Sequence, residues 1–176
     1  MFLDEDCFIY KDLVLSCADS FLREYENLAD FIKYPGDIHN NMWDVSHFLY
    51  KGEWDENHKC RESLKMLKNL EYLFIASYSV LRSGAVIHPH SGYNPKRPVF
   101  RVHLPLIIPE GDCWLKVGKE TRTWEMGKLL IFDDTVEHEA QNNTTEDRVI
   151  LLMDFTMNAF QAGLKDLAPW HDLYRN

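Results

Sequence analysis

The chain has 176 residues, 45% hydrophobic and 13% aromatic, a length and texture that suit one globular domain with its own core and exclude repeat arrays and disordered tracts. A formal net charge of −9 excludes the clustered basic surface that a nucleic-acid backbone requires, so no nucleic-acid partner is expected. The acidic start Met1–Asp6, and apolar runs well short of the roughly 20 residues of a span, predict a cytoplasmic protein with no membrane partner.

In chain order, Leu13, Cys17, Phe21, Tyr25, Leu28 and Phe31 recur at helical spacing and predict an amphipathic helix from Asp12 to about Lys33. Tyr34-Pro35-Gly36-Asp37 ends it. A polar stretch with Trp43 and Trp54 leads to a second helix near Arg61 to Leu70, with Leu64 and Leu67 on its apolar side. Both helices are expected to cover one outer face of a sheet.

After Glu71, β-branched and aromatic runs alternate with turn residues, the pattern of an all-β barrel or sandwich of about eight strands. The strands are predicted near Tyr72–Leu81, Ala85–His88, Val99–Ile108, Cys113–Val117, Thr121–Trp124, Lys128–Phe132, Val136–Gln141 and Arg148–Phe155. One domain is expected: a helical cover over 1–70, a β core over 71–156 and a tail over 157–176 that closes one end as a short helix or ordered coil. Cys7, Cys17, Cys60 and Cys113 show no C-x-x-C pairing and read as reduced structural thiols.

Chemistry is expected where strand alternation places polar groups together. In Val99–Leu106 the residues Phe100, Val102, Leu104 and Leu106 form an apolar face, while Arg101 and His103 share the other. Arg148 opens an apolar strand and is expected at or near the barrel mouth. An unpartnered buried charge costs on the order of 3–5 kcal/mol, so two inward arginines need either a bound acid or internal carboxylates such as Asp133, Asp134 or Asp154. Pattern alone leaves both open. His90, His103 and His138 fall inside the β region, and His39, His47, His58 and His171 outside it.

The segment Ser79–Gly92, with His88-Pro89-His90-Ser91-Gly92 at its end, resembles the entry strand of the aspartyl/asparaginyl β-hydroxylases. Arg101-Val102-His103-Leu104-Pro105-Leu106, Glu120–Lys128 and Ile131-Phe132-Asp133-Asp134-Thr135-Val136-Glu137-His138-Glu139 follow in that family's order and spacing. The resemblance covers Tyr78 to Phe155 and implies a mainly β fold with flanking helices, a double-stranded β-helix of jelly-roll or cupin-like type. It implies His90 and His138 as the imidazole ligands of Fe(II), a metal that imidazole suits. Arg148 and Ser79 would hold the distal carboxylate of 2-oxoglutarate, and Arg101 and His103 would support its other carboxylate. With O2, the implied reaction hydroxylates an amino-acid residue or amino-acid-derived small molecule, free or within a peptide, and releases succinate and CO2.

Two positions depart from the expected pattern. Gly92 stands where common two-histidine, one-carboxylate iron sites have their carboxylate, as in related β-hydroxylases, and Val99 stands where the family often has arginine. A site of this kind also serves 2-oxoglutarate halogenases, and a barrel that binds a small carboxylic acid without turnover is the non-enzyme alternative. Asp134, four residues before His138, is expected on that histidine's face, orienting the imidazole or a bound water, or else capping a turn. Trp114 and Trp124 read as hairpin packing.

Overall fold

The computed structural model describes residues 1–92 and 99–160. Twelve strands and three α-helices are seen among these residues. The N-terminal part holds β1 (Phe2–Leu3), α1 (Lys11–Ser16), α2 (Ala18–Glu26), β2 (Ile32–Lys33), β3 (Trp43–Tyr50), β4 (Glu53–Trp54) and α3 (Arg61–Leu67). The remainder holds β5 (Leu73–Leu81), β6 (Ala85–His90), β7 (Val99–Ile107), β8 (Cys113–Val117), β9 (Glu120–Arg122), β10 (Leu130–Asp133), β11 (His138–Asn142) and β12 (Arg148–Thr156).

Two sheets face each other. The larger runs β1-β10-β7-β12-β5-β3-β2, with β4 paired to β3, and the smaller runs β6-β11-β8-β9; all the pairings are antiparallel. This is the double-stranded β-helix. Alternation along β12 shows how the layers are built: Val149, Leu151, Met153 and Phe155 join a core shared with Val14 and Phe21 of the helices. Ile150 and Leu152 instead join a second core shared with Leu115 and Ala140 of the smaller sheet. The inward side of β12 therefore begins at Arg148 and ends at Asp154.

The first helix is shorter than the periodicity suggests. It breaks at Cys17 into α1 and α2 and ends at Glu26, where the Asn27 amide donates to the Arg23 carbonyl at 2.8 Å. Glu24 accepts from the backbone N–H groups of Glu62 and Ser63 at 3.0 and 2.7 Å, which ties α2 to the start of α3. Leu28 and Phe31 still pack on the helical-side core, but the chain around them runs toward the sheet edge, where β2 pairs with β3.

The larger correction concerns residues 43–50. The stretch read as part of a helical cover is an inner strand, β3, hydrogen-bonded to β5 along its length. Its polar residues hide the strand signal because each has a dedicated partner. Asp44 pairs with Arg82 at 2.7 Å, Ser46 with His58 at 3.1 Å, and His47 with Ser77 at 2.6 Å. No helix among the described residues is long and apolar enough to cross a membrane. The expected closing tail lies, beyond Phe160, outside the described residues.

Candidate active site

The inward face of the larger sheet and the facing smaller sheet enclose a narrow, partly open well. Strand alternation brings Ser79 of β5, Arg101 and His103 of β7, and Arg148 of β12 onto its wall, opposite His90 and His138 of the smaller sheet. Trp43, Trp124 and Phe132 complete the polar end, with Ile87, Leu115, Ala140, Ile150 and Leu152 around it.

His90 and His138 are direct cross-strand partners, with a register shift between His138 and Ala140, and their ring centroids lie 4.3 Å apart. Each Nδ1 lies 2.8 Å from the backbone carbonyl two residues earlier, at His88 and Val136. A carbonyl only accepts, so both Nδ1 atoms carry the proton and both Nε2 lone pairs are left for another partner. Burial lowers the pKa of His90; burial, then Arg101 and His90, lower that of His138 to about 3. Two neutral imidazoles at neutral pH are what a metal requires.

Asp134 lies against this pair. Its Oδ1 is 3.5 Å from His138 Nε2 and 2.8 Å from Arg101 Nη1, a charge contact without hydrogen-bond alignment. A Cβ at Gly92 would come within 1.5 Å of Asp134 Oδ2, and the Gly92 N–H donates to the Asp134 carbonyl at 2.8 Å. The Asp134 carboxylate thus occupies the space that a side chain at residue 92 would take. The sequence placed it near His138 but gave no sign of this contact with Gly92.

The two arginines differ. Arg101 makes a two-pronged pair with Asp154, Nε to Oδ1 at 2.7 Å and Nη2 to Oδ2 at 2.8 Å. Burial alone would lower its pKa, but Asp134 and Asp154 outweigh that and raise it. Arg101, expected to support a cosubstrate carboxylate, already has its charge balanced within the chain, because the same inward alternation brings Asp154 directly across from it. Arg148 is 2% exposed, within the wall of the well and not at its mouth. Its Nη1 donates to the Ser79 carbonyl at 3.3 Å, its Nε has no partner, and no carboxylate among the described residues pairs with it. Burial pulls its pKa to about 10, so it stays charged at neutral pH.

His103 is buried, and burial, then Arg148 and Arg101, hold its pKa well below the usual value. Its Nδ1 accepts from the Trp124 indole at 3.1 Å, and its Nε2 has no partner. Trp124, read from sequence as hairpin packing, also lies under the Arg148 guanidinium at 4.7 Å. Trp43 donates to Ser79 Oγ at 2.9 Å and is covered by Tyr34, stacked at 3.8 Å. Trp43 was missed; nothing in its neighbourhood marks it except the aromatic residue itself. The unbonded His138 Nε2 beside the His90 ring fits a divalent iron at one end, and Arg148 with His103 Nε2 fits an acid at the other. Of the remaining histidines, His39 holds the Tyr34 carbonyl at 2.7 Å and His58 bonds Ser46, while His171 lies outside the described residues.

The fold is a jelly roll. It matches an oxidoreductase of the 2OG-Fe(II) oxygenase family from Burkholderia pseudomallei with a TM-score of 0.56, over 77% of each chain and at 13% identity, a likeness of fold alone. The sequence narrows the class: the aspartyl/asparaginyl beta-hydroxylase family profile matches residues 15–157, and the chain belongs to that family. The human aspartyl/asparaginyl beta-hydroxylase is 42% identical over 142 residues, 76% of this chain and 17% of that protein. The mouse protein of the same name is 34% identical, again over 76% of this chain and 18% of its own length. The ornithine lipid ester-linked acyl 2-hydroxylase of Rhizobium tropici is 38% identical over 54% of this chain and 34% of its own length. This chain thus spans less than a fifth of the mammalian relatives.

Proposed function

We propose that this chain is an Fe(II)- and 2-oxoglutarate-dependent dioxygenase that hydroxylates an amino-acid residue or an amino-acid-derived small molecule. The observation that carries the reading is Arg148, a buried cation without a carboxylate among the described residues, in the same well as the His90 and His138 imidazoles, both protonated on Nδ1 and the second with an unpartnered Nε2. A charge left so would be costly unless a ligand supplies the anion. Family membership and the names of the hydroxylase relatives point to the same chemistry.

His90 and His138 would hold the iron through Nε2, each kept in the right tautomer by its backbone carbonyl. Iron with 2-oxoglutarate and O2 supplies the oxidation: one oxygen atom enters the substrate C–H bond, and the other appears in succinate as CO2 leaves. Arg148 would bind the distal carboxylate, with Ser79 and His103 adding hydrogen bonds. Phe132 and Leu115 would keep that end dry.

The test pairs affinity with stability. Arg148→Met is expected to weaken 2-oxoglutarate binding by about 100-fold, the loss of charge-assisted bonds amounting to roughly 3 kcal/mol. The ligand-free variant should be at least as resistant to urea as the native chain, since an unpaired buried charge has been removed. Unchanged 2-oxoglutarate affinity, or a variant that fails to fold, would overturn the assignment of Arg148. His90→Ala and His138→Ala should each abolish substrate-dependent succinate release and Fe(II) binding; wild-type turnover in either would sink the metal assignment.

A further inference from the structure

An indole has one polar atom, and it only donates. The two tryptophans on the wall of the well direct that N–H at neighbouring side chains: Trp43 at Ser79 Oγ, 2.9 Å, and Trp124 at His103 Nδ1, 3.1 Å. Each contact settles what the acceptor can still do. Ser79 has one hydroxyl proton, and with its oxygen engaged by Trp43 that proton points elsewhere; no acceptor for it is seen among the described residues. A neutral imidazole has one N–H, and with Nδ1 accepting it must be on Nε2, the buried atom that has no partner. The Arg148 guanidinium, which can only donate, lies 4.7 Å over the Trp124 ring and contacts the Ser79 carbonyl at 3.3 Å.

From this geometry we propose that Trp43 and Trp124 are positioning residues which set the hydrogen-bond polarity of the well, making His103 a dedicated donor and taking up one Ser79 lone pair so that its hydroxyl proton is left to give beside Arg148, whereby the well favours a carboxylate over the matching amide. The inference rests on the proposed 2-oxoglutarate site and adds to it a rule of selection. A carboxylate only accepts, and it meets two groups that only donate, Arg148 and His103, with the Ser79 hydroxyl proton beside them. The primary amide of the same acid would bring an NH2 group against those two donors in a dry wall, with only the remaining Ser79 lone pair to take it. Neither indole touches the acid through its N–H. Each acts through the group it orients.

Trp124→Phe and Trp43→Phe keep an aromatic ring in place and remove only the N–H function and part of the volume. The probes are 2-oxoglutarate and its distal amide, 2-oxoglutaramate, bound to the Fe(II)-loaded chain without oxygen. The native chain should prefer the acid strongly. In Trp124→Phe, 2-oxoglutarate binding should weaken roughly five- to tenfold. The amide should weaken less or not at all, because a released His103 can change tautomer and accept from its NH2, so the acid-to-amide ratio narrows. Trp43→Phe should narrow the ratio in the same direction through Ser79. Nitrogen NMR of the ligand-free native protein, with the His103 signal identified by its loss in His103→Gln, should show protonated Nε2 and bare Nδ1, and Trp124→Phe should lose that pattern.

A native His103 protonated on Nδ1 would overturn the proposal whether or not either variant folds. Equal weakening of acid and amide, with the His103 tautomer unchanged, would also overturn it by showing that the indoles only fill space. The underlying site reading fails separately, if Arg148→Met binds 2-oxoglutarate as the native chain does.

Discussion

At the scale of single residues, the pairing of Gly92 with Asp134 changes what a substitution at the iron site would mean. From sequence, Gly92 is a missing carboxylate, and Gly92→Asp is the natural way to restore one. In the structure a side-chain Cβ there would lie 1.5 Å from Asp134 Oδ2 and 2.5 Å from its Cγ, with the Gly92 backbone outside the left-handed region. The need for glycine is thus one of space, imposed by a residue 42 positions away. Gly92→Ala is expected to cost roughly 1–3 kcal/mol of stability, as overpacking in a filled site does. It should also disturb the contact of Asp134 with Arg101. Asp134→Gly in the same chain should recover most of the loss, measured by urea denaturation. If the two substitutions prove additive, the steric account is wrong. A grafted carboxylate at residue 92 needs the same second change.

At the scale of elements, β12 places a charge at each end of its inward face, and the two charges have different roles. Arg148, at the start, has no internal carboxylate, whereas Asp154, near the end, faces Arg101 on β7 in register. Asp154→Ala would leave Arg101 with a single off-axis contact to Asp134, and is expected to destabilise the fold by about 3–5 kcal/mol, the cost of breaking a buried pair. It should affect folding more than 2-oxoglutarate affinity, the opposite of Arg148→Met. A fully stable Asp154→Ala would show that the pair with Arg101 is not structural. The inward placement of Arg101 was legible from the alternation of β7, whereas Arg148, opening a continuous apolar run, was expected only at or near the mouth. Which of them already had a partner was not legible, because the answer depends on the relative register of two strands about 50 residues apart. Strand β3 was illegible for a related reason: Asp44, Ser46 and His47 read as loop polarity until the residues that satisfy them, from β2, β5 and the turn before α3, are in place.

For the molecule as a whole, the half-buried His47 of β3 and the buried His58 tie stability to pH. Burial lowers the pKa of His47 and His58 from 6.5, so both are neutral in the fold and would take up protons on unfolding below that value. The unfolded state then binds more protons, and stability falls as pH drops below about 6.5, toward the lowered folded-state values. Thermal midpoints should decline from pH 6.5 to 5, above the range where ordinary carboxylates titrate, and His47→Asn with His58→Gln should reduce that slope, leaving the share of His90, His103 and His138, whose pKa values burial also lowers. An unchanged slope would place the proton uptake elsewhere. By itself the amino-acid sequence determined the β core after residue 71 and the inward face of β7, and its family motifs pointed to His90 and His138, since strand alternation and local motifs are properties of contiguous residues. Only the tertiary structure decided that Arg101 is neutralised while Arg148 is not, that Asp134 fills the space beside Gly92, and that Trp43 and Trp124 direct Ser79 and His103. Each of those outcomes depends on distance and direction between side chains far apart in the chain, which appear only when the two sheets close on one another.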